Sequence, residues 1–166
     1  MKKINTLKWP IACLAVVAIL ACAIMTWASP ATGVTPTLIG RGTYDRFKIN
    51  IPPGQAPFEY MAQAKPAIDM VVQTHDFQPG ASTGWHQHPG PVFITVTQGE
   101  LTFYERDDPT CSPKVFTAGE GFVDTGDGHI GRNESGALAK DVTVAIAPVG
   151  GAFRTELSAP GPFCSF

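Results

Sequence analysis

The 166-residue chain carries 12 Lys and Arg against 14 Asp and Glu, a net charge of −2, and only 16% of its residues are charged. With no basic cluster and no glycine-rich phosphate loop opening a helix, nucleic acid is excluded as a partner. Seventeen glycines and fifteen prolines over this length favour one small domain of short strands and turns.

Lys2, Lys3 and Lys8 precede an uncharged run from Trp9 to Trp27. A basic flank, an apolar stretch and a small residue at Ala28 have the layout of a signal peptide over residues 1–28. The stretch is longer than the ~7–15 apolar residues usual in a cleaved signal and close to the ~20 that span a bilayer. An uncleaved N-terminal helix anchored through residues 9–27 is therefore the alternative. Either one exports the remainder, to the periplasm or beyond, or to the outer side of the cytoplasmic membrane. Ile19-Leu20-Ala21-Cys22 loosely resembles a lipidation box, but the apolar residues continue past Cys22. Beyond Ala28, nine basic residues face fourteen acidic ones, a net charge of −5.

Residues 29–45 are rich in small residues and proline and are expected to be a linker or arm, leaving a folded domain at 46–166. Arg46 to Ile51 alternates weakly until Pro52-Pro53-Gly54 ends it. The stretch 54–66 reads as a loop with Phe58, Tyr60 and Met61 tucked against the domain. From Ile68 to His75, period-two alternation puts Ile68, Met70 and Val72 on one face. Asp69, Val71, Gln73 and His75 take the other, which predicts that His75 looks outward. The same logic gives apolar faces of Val92, Ile94 and Val96, of Leu101 and Phe103, and of Val142, Val144 and Ile146. Gln98-Gly99-Glu100 is expected to be a hairpin turn, and Trp85 and Tyr104 are expected to be packing residues. The fold class is all-β.

Three histidines stand out from this pattern. His86 and His88 lie two residues apart in an extended stretch, so their side chains share a face at about 7 Å along the backbone, with Trp85 and Gln87 turned away. His129 follows in a glycine-rich turn. Neutral imidazole is the commonest metal ligand, and three together predict a divalent transition metal, with Fe, Zn, Mn, Ni and Cu all open. Of the four cysteines, Cys13 and Cys22 fall in the export segment, leaving Cys111 and Cys164. An even pair in an oxidising compartment suggests a disulfide, with two unpaired buried thiols as the alternative.

Two stretches resemble the signature of the cupin superfamily. The first cupin motif is Gly, five residues, His-x-His, three or four residues, Glu, six residues, Gly. Here Gly80, His86, His88, Val92 and Gly99 fall at those positions. The second, Pro-x-Gly-x-x-His-x-x-x-Asn, is met by Gly126, His129 and Asn133, with Asp124 in place of proline. The resemblance spans residues 68–148 and implies a single-domain double-stranded β-helix, or jelly-roll barrel. The chain is also similar to small exported bacterial cupin-domain proteins with a Pro-Gly-x-x-Cys-like tail, here Pro160 to Cys164. Where the family has a glutamate ligand this chain has Val92, a vacant ligand position, so the implied site is His86, His88 and His129 alone.

Three neutral ligands leave an ion's charge uncompensated and favour an anionic ligand or an acidic bound water. Glu105, Asp124 and Asp127 sit at strand ends or turns without a spacing that demands a place at the metal, so no catalytic acid or base is assigned. Asn133 reads as a turn or supporting residue rather than a glycosylation acceptor. Two functions are open: a non-catalytic exported module that binds metal and a small-molecule ligand, and a three-histidine oxygenase acting on a small organic substrate. A homodimer is compatible with either.

Overall fold

The structure, a computed structural model, describes residues 28–54 and 56–166. The signal or anchor helix expected over residues 1–28 thus lies, save for Ala28, outside the described residues. Among the described residues no helix is long and apolar enough to cross a membrane.

The regular elements are strands: β1 (Thr32–Tyr44), β2 (Phe47–Ile51), β3 (Tyr60–Ala64), β4 (Ile68–Ser82), β5 (His86–Gln87), β6 (Val92–Gln98), β7 (Glu100–Glu105), β8 (Lys114–Thr117), β9 (Gly121–Asp124), β10 (His129–Arg132), β11 (Ala139–Pro148) and β12 (Thr155–Glu156). One wall runs β1-β4-β11-β6-β9 and the other β12-β5-β10-β7-β8, joined where Ser82 of β4 pairs with Arg132 of β10. All these pairings are antiparallel, and the two walls enclose the expected double-stranded β-helix.

Four sequence expectations are corrected. Residues 29–45 are no linker: β1 pairs with β4 from Thr32 to Tyr44, so the domain begins well before residue 46. Thr, Val, Leu and Ile within that stretch suit a strand, and its two prolines and small residues disguise it. The loop at 54–66 contains β3, which pairs with β2 as a separate hairpin. Phe58 and Met61 stay exposed there, at 59% and 81%. Gln98-Gly99-Glu100 is a corner, not a hairpin turn, because β6 pairs with β11 and β9 whereas β7 pairs with β10 and β8. Gly99 has φ of 70°, and a Cβ there would lie 2.8 Å from the Leu138 carbonyl oxygen, so glycine alone carries the chain between walls.

The fourth correction concerns direction. The period-two reading of β4 and β11 is right, but inside and outside are exchanged. Asp69, Val71 and Phe77 of β4 and Asp141, Thr143, Ala145 and Ala147 of β11 are buried, while Met70, Val72, Val142, Val144 and Ile146 are only half-buried. The interior between the walls is a partly polar cavity, so polar side chains can face it, and sequence alternation alone carries no sign. On β6 the expectation holds: Val92, Ile94 and Val96 are buried.

Two apolar clusters hold the walls. The larger contains Val71, Phe77, Ile94, Leu101 and Phe103, and the smaller contains Trp85, Tyr104, Ile130 and Cys164. Strand β7 is buried on both faces because Leu101 and Phe103 serve the first cluster and Tyr104 the second. Trp85 is fully buried, and its Nε1 donates to the Phe166 carbonyl at 2.8 Å, which confirms it as a packing residue. Tyr104 packs against Phe166 at 4.7 Å between ring centroids and donates its hydroxyl to Glu134. Asn133 is fully buried, with Nδ2 donating to the Phe77 and Ala137 carbonyls and Oδ1 accepting from Ser135, as suits a turn residue.

Cys111 and Cys164 form a disulfide, with Cα atoms 5.4 Å apart. It fixes the segment that covers Trp85, the neighbour of His86. Closing a loop with a sequence separation of 53 contributes on the order of 4 kcal/mol in the chain-entropy model. Replacing both cysteines with serine should therefore lower the thermal midpoint by roughly 10 °C. Intact mass should rise by two hydrogens on reduction of the wild type, and two freely alkylated thiols in the folded protein would contradict the bridge.

Candidate metal centre

His86 opens β5 and His129 opens β10, and the two residues are direct register partners. Both are buried, at 3% and 2% exposure. His88 follows β5 and is half-buried. Ring centroids are 4.4 Å apart for His86 and His129, 4.9 Å for His86 and His88, and 5.6 Å for His88 and His129. One nitrogen from each lies within 4.8 Å of the other two, a spacing at which one ion can be shared. The three histidines singled out in the sequence are thus brought together.

The backbone sets their tautomers. His86 Nδ1 lies 2.9 Å from the Gly84 carbonyl and His88 Nδ1 lies 2.6 Å from the Phe153 carbonyl. A carbonyl only accepts, so Nδ1 carries the proton in both rings and Nε2 is left with its lone pair free to ligate. Burial, and then the charge of His129, hold His86 well below the usual imidazole range. The same two causes bring His88 down to about 4. Both are neutral near pH 7, the form that binds metal.

Val92 is buried and lines the cavity beside the histidines, in keeping with a vacant ligand position. The carboxylate missing there is found across the sheet. Val92 pairs directly with Asp124 of β9, so both side chains leave on one face, and Asp124 reaches His129 with Oδ1 3.2 Å from Nδ1. The contact is close but not aligned for a hydrogen bond, and Asp124 Oδ2 and His129 Nδ1 are buried without a hydrogen-bond partner among the described residues. Burial pushes the Asp124 carboxyl up, but contact with His129 outweighs it and holds the group below its ordinary value. The sequence reading left Asp124 outside the site. Its signal was the departure from proline in the second motif, and its meaning depends on a cross-strand register that one strand does not reveal.

The cavity in front of the histidines has a volume of about 280 Å³. Its apolar wall includes Ile94, Phe103, Ala145 and Phe153, and its polar wall includes Gln73, His75, Asp141 and Arg154. Arg154 donates to the Thr83 carbonyl at 2.6 Å and to Glu156, which places a guanidinium at the cavity edge. Glu105 instead pairs with Lys114, and Asp127 accepts from Thr125, so neither joins the site.

Residues 73–144 match the family model described as Cupin domain. The chain carries a cupin domain over these residues. No curated protein matches it. Among solved structures it is similar to an oxalate oxidase in complex with glycolate, at 26% identity over 52% of this chain and 45% of that one, with a TM-score of 0.42. The cupin thus spans less than half of that chain's length. A conserved protein with a double-stranded β-helix domain from Klebsiella pneumoniae matches at 18% identity, over 69% of this chain and 85% of that one, with a TM-score of 0.46. A cupin domain from Bordetella pertussis matches at 20% identity, over 72% and 97%, with a TM-score of 0.44.

The residues fit a transition metal. A nitrogen of each of three imidazoles converges on one point, two of the rings have Nδ1 committed to carbonyls, and a buried carboxylate with an unpartnered oxygen stands beside His129 Nδ1, as in the carboxylate-supported histidines of metal sites. Asp124→Asn should weaken metal binding by about 10- to 100-fold in direct titration with the fold intact. In metal-free protein the buried histidines also set a pH dependence. Unfolded chains take up protons near pH 6.5, whereas folded His88 does so only at about 4 and folded His86 well below the usual imidazole range. The unfolded state binds more protons in between, so stability should fall as pH drops from about 6.5 towards 4. The thermal midpoint of the apo protein checks this, and a flat midpoint over that range would contradict it.

Proposed function

We propose that this cupin is an exported protein that holds a divalent transition metal through His86, His88 and His129 and uses it to bind a small organic anion. The observation that carries this reading is the convergence of the three imidazoles: one nitrogen from each lies within 4.8 Å of the other two, and His86 and His88 have committed Nδ1 to backbone carbonyls. Bound there, the ion supplies a Lewis-acid centre with open positions. The chain's own residues do the rest. Asp124 contributes the negative charge that the valine at position 92 does not, Arg154 in its pair with Glu156 places hydrogen-bond donors at the edge, and the apolar wall excludes water.

Export is supported by the basic and apolar layout of residues 1–28 and by the disulfide, which suits an oxidising compartment. A second reading, a three-histidine oxygenase, is favoured by the ligand set itself, because three protein ligands leave more than one exchangeable position for substrate and O₂.

Protein beginning at Ser29 should copurify with close to one equivalent of a first-row metal, and His86→Ala or His129→Ala should remove most of it. Unchanged metal content in both variants would reduce the histidines to cavity lining. Fractionation should recover the protein outside the cytoplasmic membrane, with Ser29 as the N-terminal residue if the segment is cleaved and Met1 or Lys2 if it is an anchor. Full-length protein in the cytosol would refute export. Oxygen uptake dependent on an added organic acid and abolished by His86→Ala would decide for the oxygenase.

A further inference from the structure

A second polar constellation faces the same cavity. On β4 and β11, two cross-strand pairs point inward: His75 opposite Asp141, and Gln73 opposite Thr143. His75 Nδ1 lies 2.7 Å from Asp141 Oδ1, and Asp141 is buried, at 3% exposure. The sequence reading put His75 on an outward face, and the wall reversal brings it in. No other hydrogen bond to the His75 ring occurs among the described residues, and Gln73 makes none with its side chain.

The Asp141 carboxylate is an acceptor, so Nδ1 carries the proton, and in the neutral ring Nε2 is left as an acceptor on a cavity wall. Asp141 and Thr143 are buried and His75 and Gln73 half-buried, and placing such polar groups on an inner barrel wall is unfavourable unless they find partners. Placement relative to the histidines is also informative. Asp124, which touches His129, shares a cross-strand row with Val92 and Ala145; Ile94, Thr143 and Gln73 form the next row; Val96, Asp141 and His75 form the one after. Two rows are four residues, roughly 13 Å along a strand. Beside Gln73 and Thr143 in the middle row, Ile94 and Ala145 on this wall and Phe103 on the facing one give the space between the two ends an apolar surface.

We propose that the His75–Asp141 pair is the distal anchor of the ligand, accepting a hydrogen bond from a hydroxyl group. The ligand class is then a hydroxylated organic anion: an acidic head at the histidine centre, an apolar ring-sized body and a hydroxyl at the far end. The head rests on the metal reading above, whereas the hydroxyl does not.

The two ends are separable by probes that differ in one hydroxyl: benzoate against 4-hydroxybenzoate, and the longer cinnamate against 4-hydroxycinnamate. Affinities are measured by calorimetry on Co²⁺-loaded protein, with the visible Co²⁺ spectrum reporting whether the carboxylate reaches the metal. Wild type should prefer the hydroxylated member of at least one pair by about tenfold. His75→Phe should erase that preference and leave affinity for the unhydroxylated acid within about twofold. Should Asp141, left unpartnered, unfold that variant, His75→Phe with Asp141→Val removes both partners and carries the same expectation. A purely stapling role for the pair predicts no hydroxyl preference in wild type. Equal affinities within both pairs, a preference that survives in the variants, or no binding of any probe would each overturn the anchor. A hydroxyl preference with an unmoved Co²⁺ spectrum supports the anchor and overturns the metal-bound head.

Discussion

The register between β5 and β10 is the constraint on which the site depends. His129 stands directly across from His86, and a slip of one residue in either strand would turn an imidazole from the cavity to the outer face. Several contacts secure that register from outside the cavity. Leu157 donates its backbone N–H to the Trp85 carbonyl at 2.8 Å, β12 pairs Glu156 with His86, and the disulfide-held segment buries Trp85 behind them. The packing cluster around Trp85 and the histidine centre are thus two faces of one short strand.

Much of this was legible in the sequence because it is local. The His-x-His spacing fixes a shared face whatever the tertiary structure, and Gly126, His129 and Asn133 mark a turn and its third ligand. The family resemblance supplied the barrel that brings the two stretches together. What was not legible is what depends on partners. Alternation in β4 and β11 showed two faces but not which one looked inward, because an interior that holds a polar cavity reverses the usual preference. Gln73, His75, Asp141 and Thr143 were therefore read as an outer surface, or passed over. The strand at Thr32–Tyr44 is hidden by Pro36, its glycines and the proline just before it, and only its pairing with β4 makes it one.

The exchange between positions 92 and 124 shows how a site can keep its charge while moving it. A glutamate on β6 would put a carboxylate at the ion; here an aspartate on the neighbouring strand puts one behind a ligand instead. Cross-strand partners on one face are close enough for such an exchange to cost little geometry. The electrostatic consequence differs: a carboxylate behind the imidazole raises the ligand's donor strength while leaving the ion's open side free.

The portion of the chain that carries the family's signature, residues 73–144, is smaller than the unit that encloses the cavity. Ala31, Val34 and Pro36 come from before it, and Phe153, Arg154 and Glu156 from after it. The first of these segments is fitted tightly: a Cβ on Gly84 would fall 2.0 Å from the Ser29 carbonyl oxygen. Residues on both sides of the signature thus shape the cavity together with His75 and Asp141 inside it. A substitution at Val34 or Phe153 can therefore alter what the cavity admits without touching any of the three histidines.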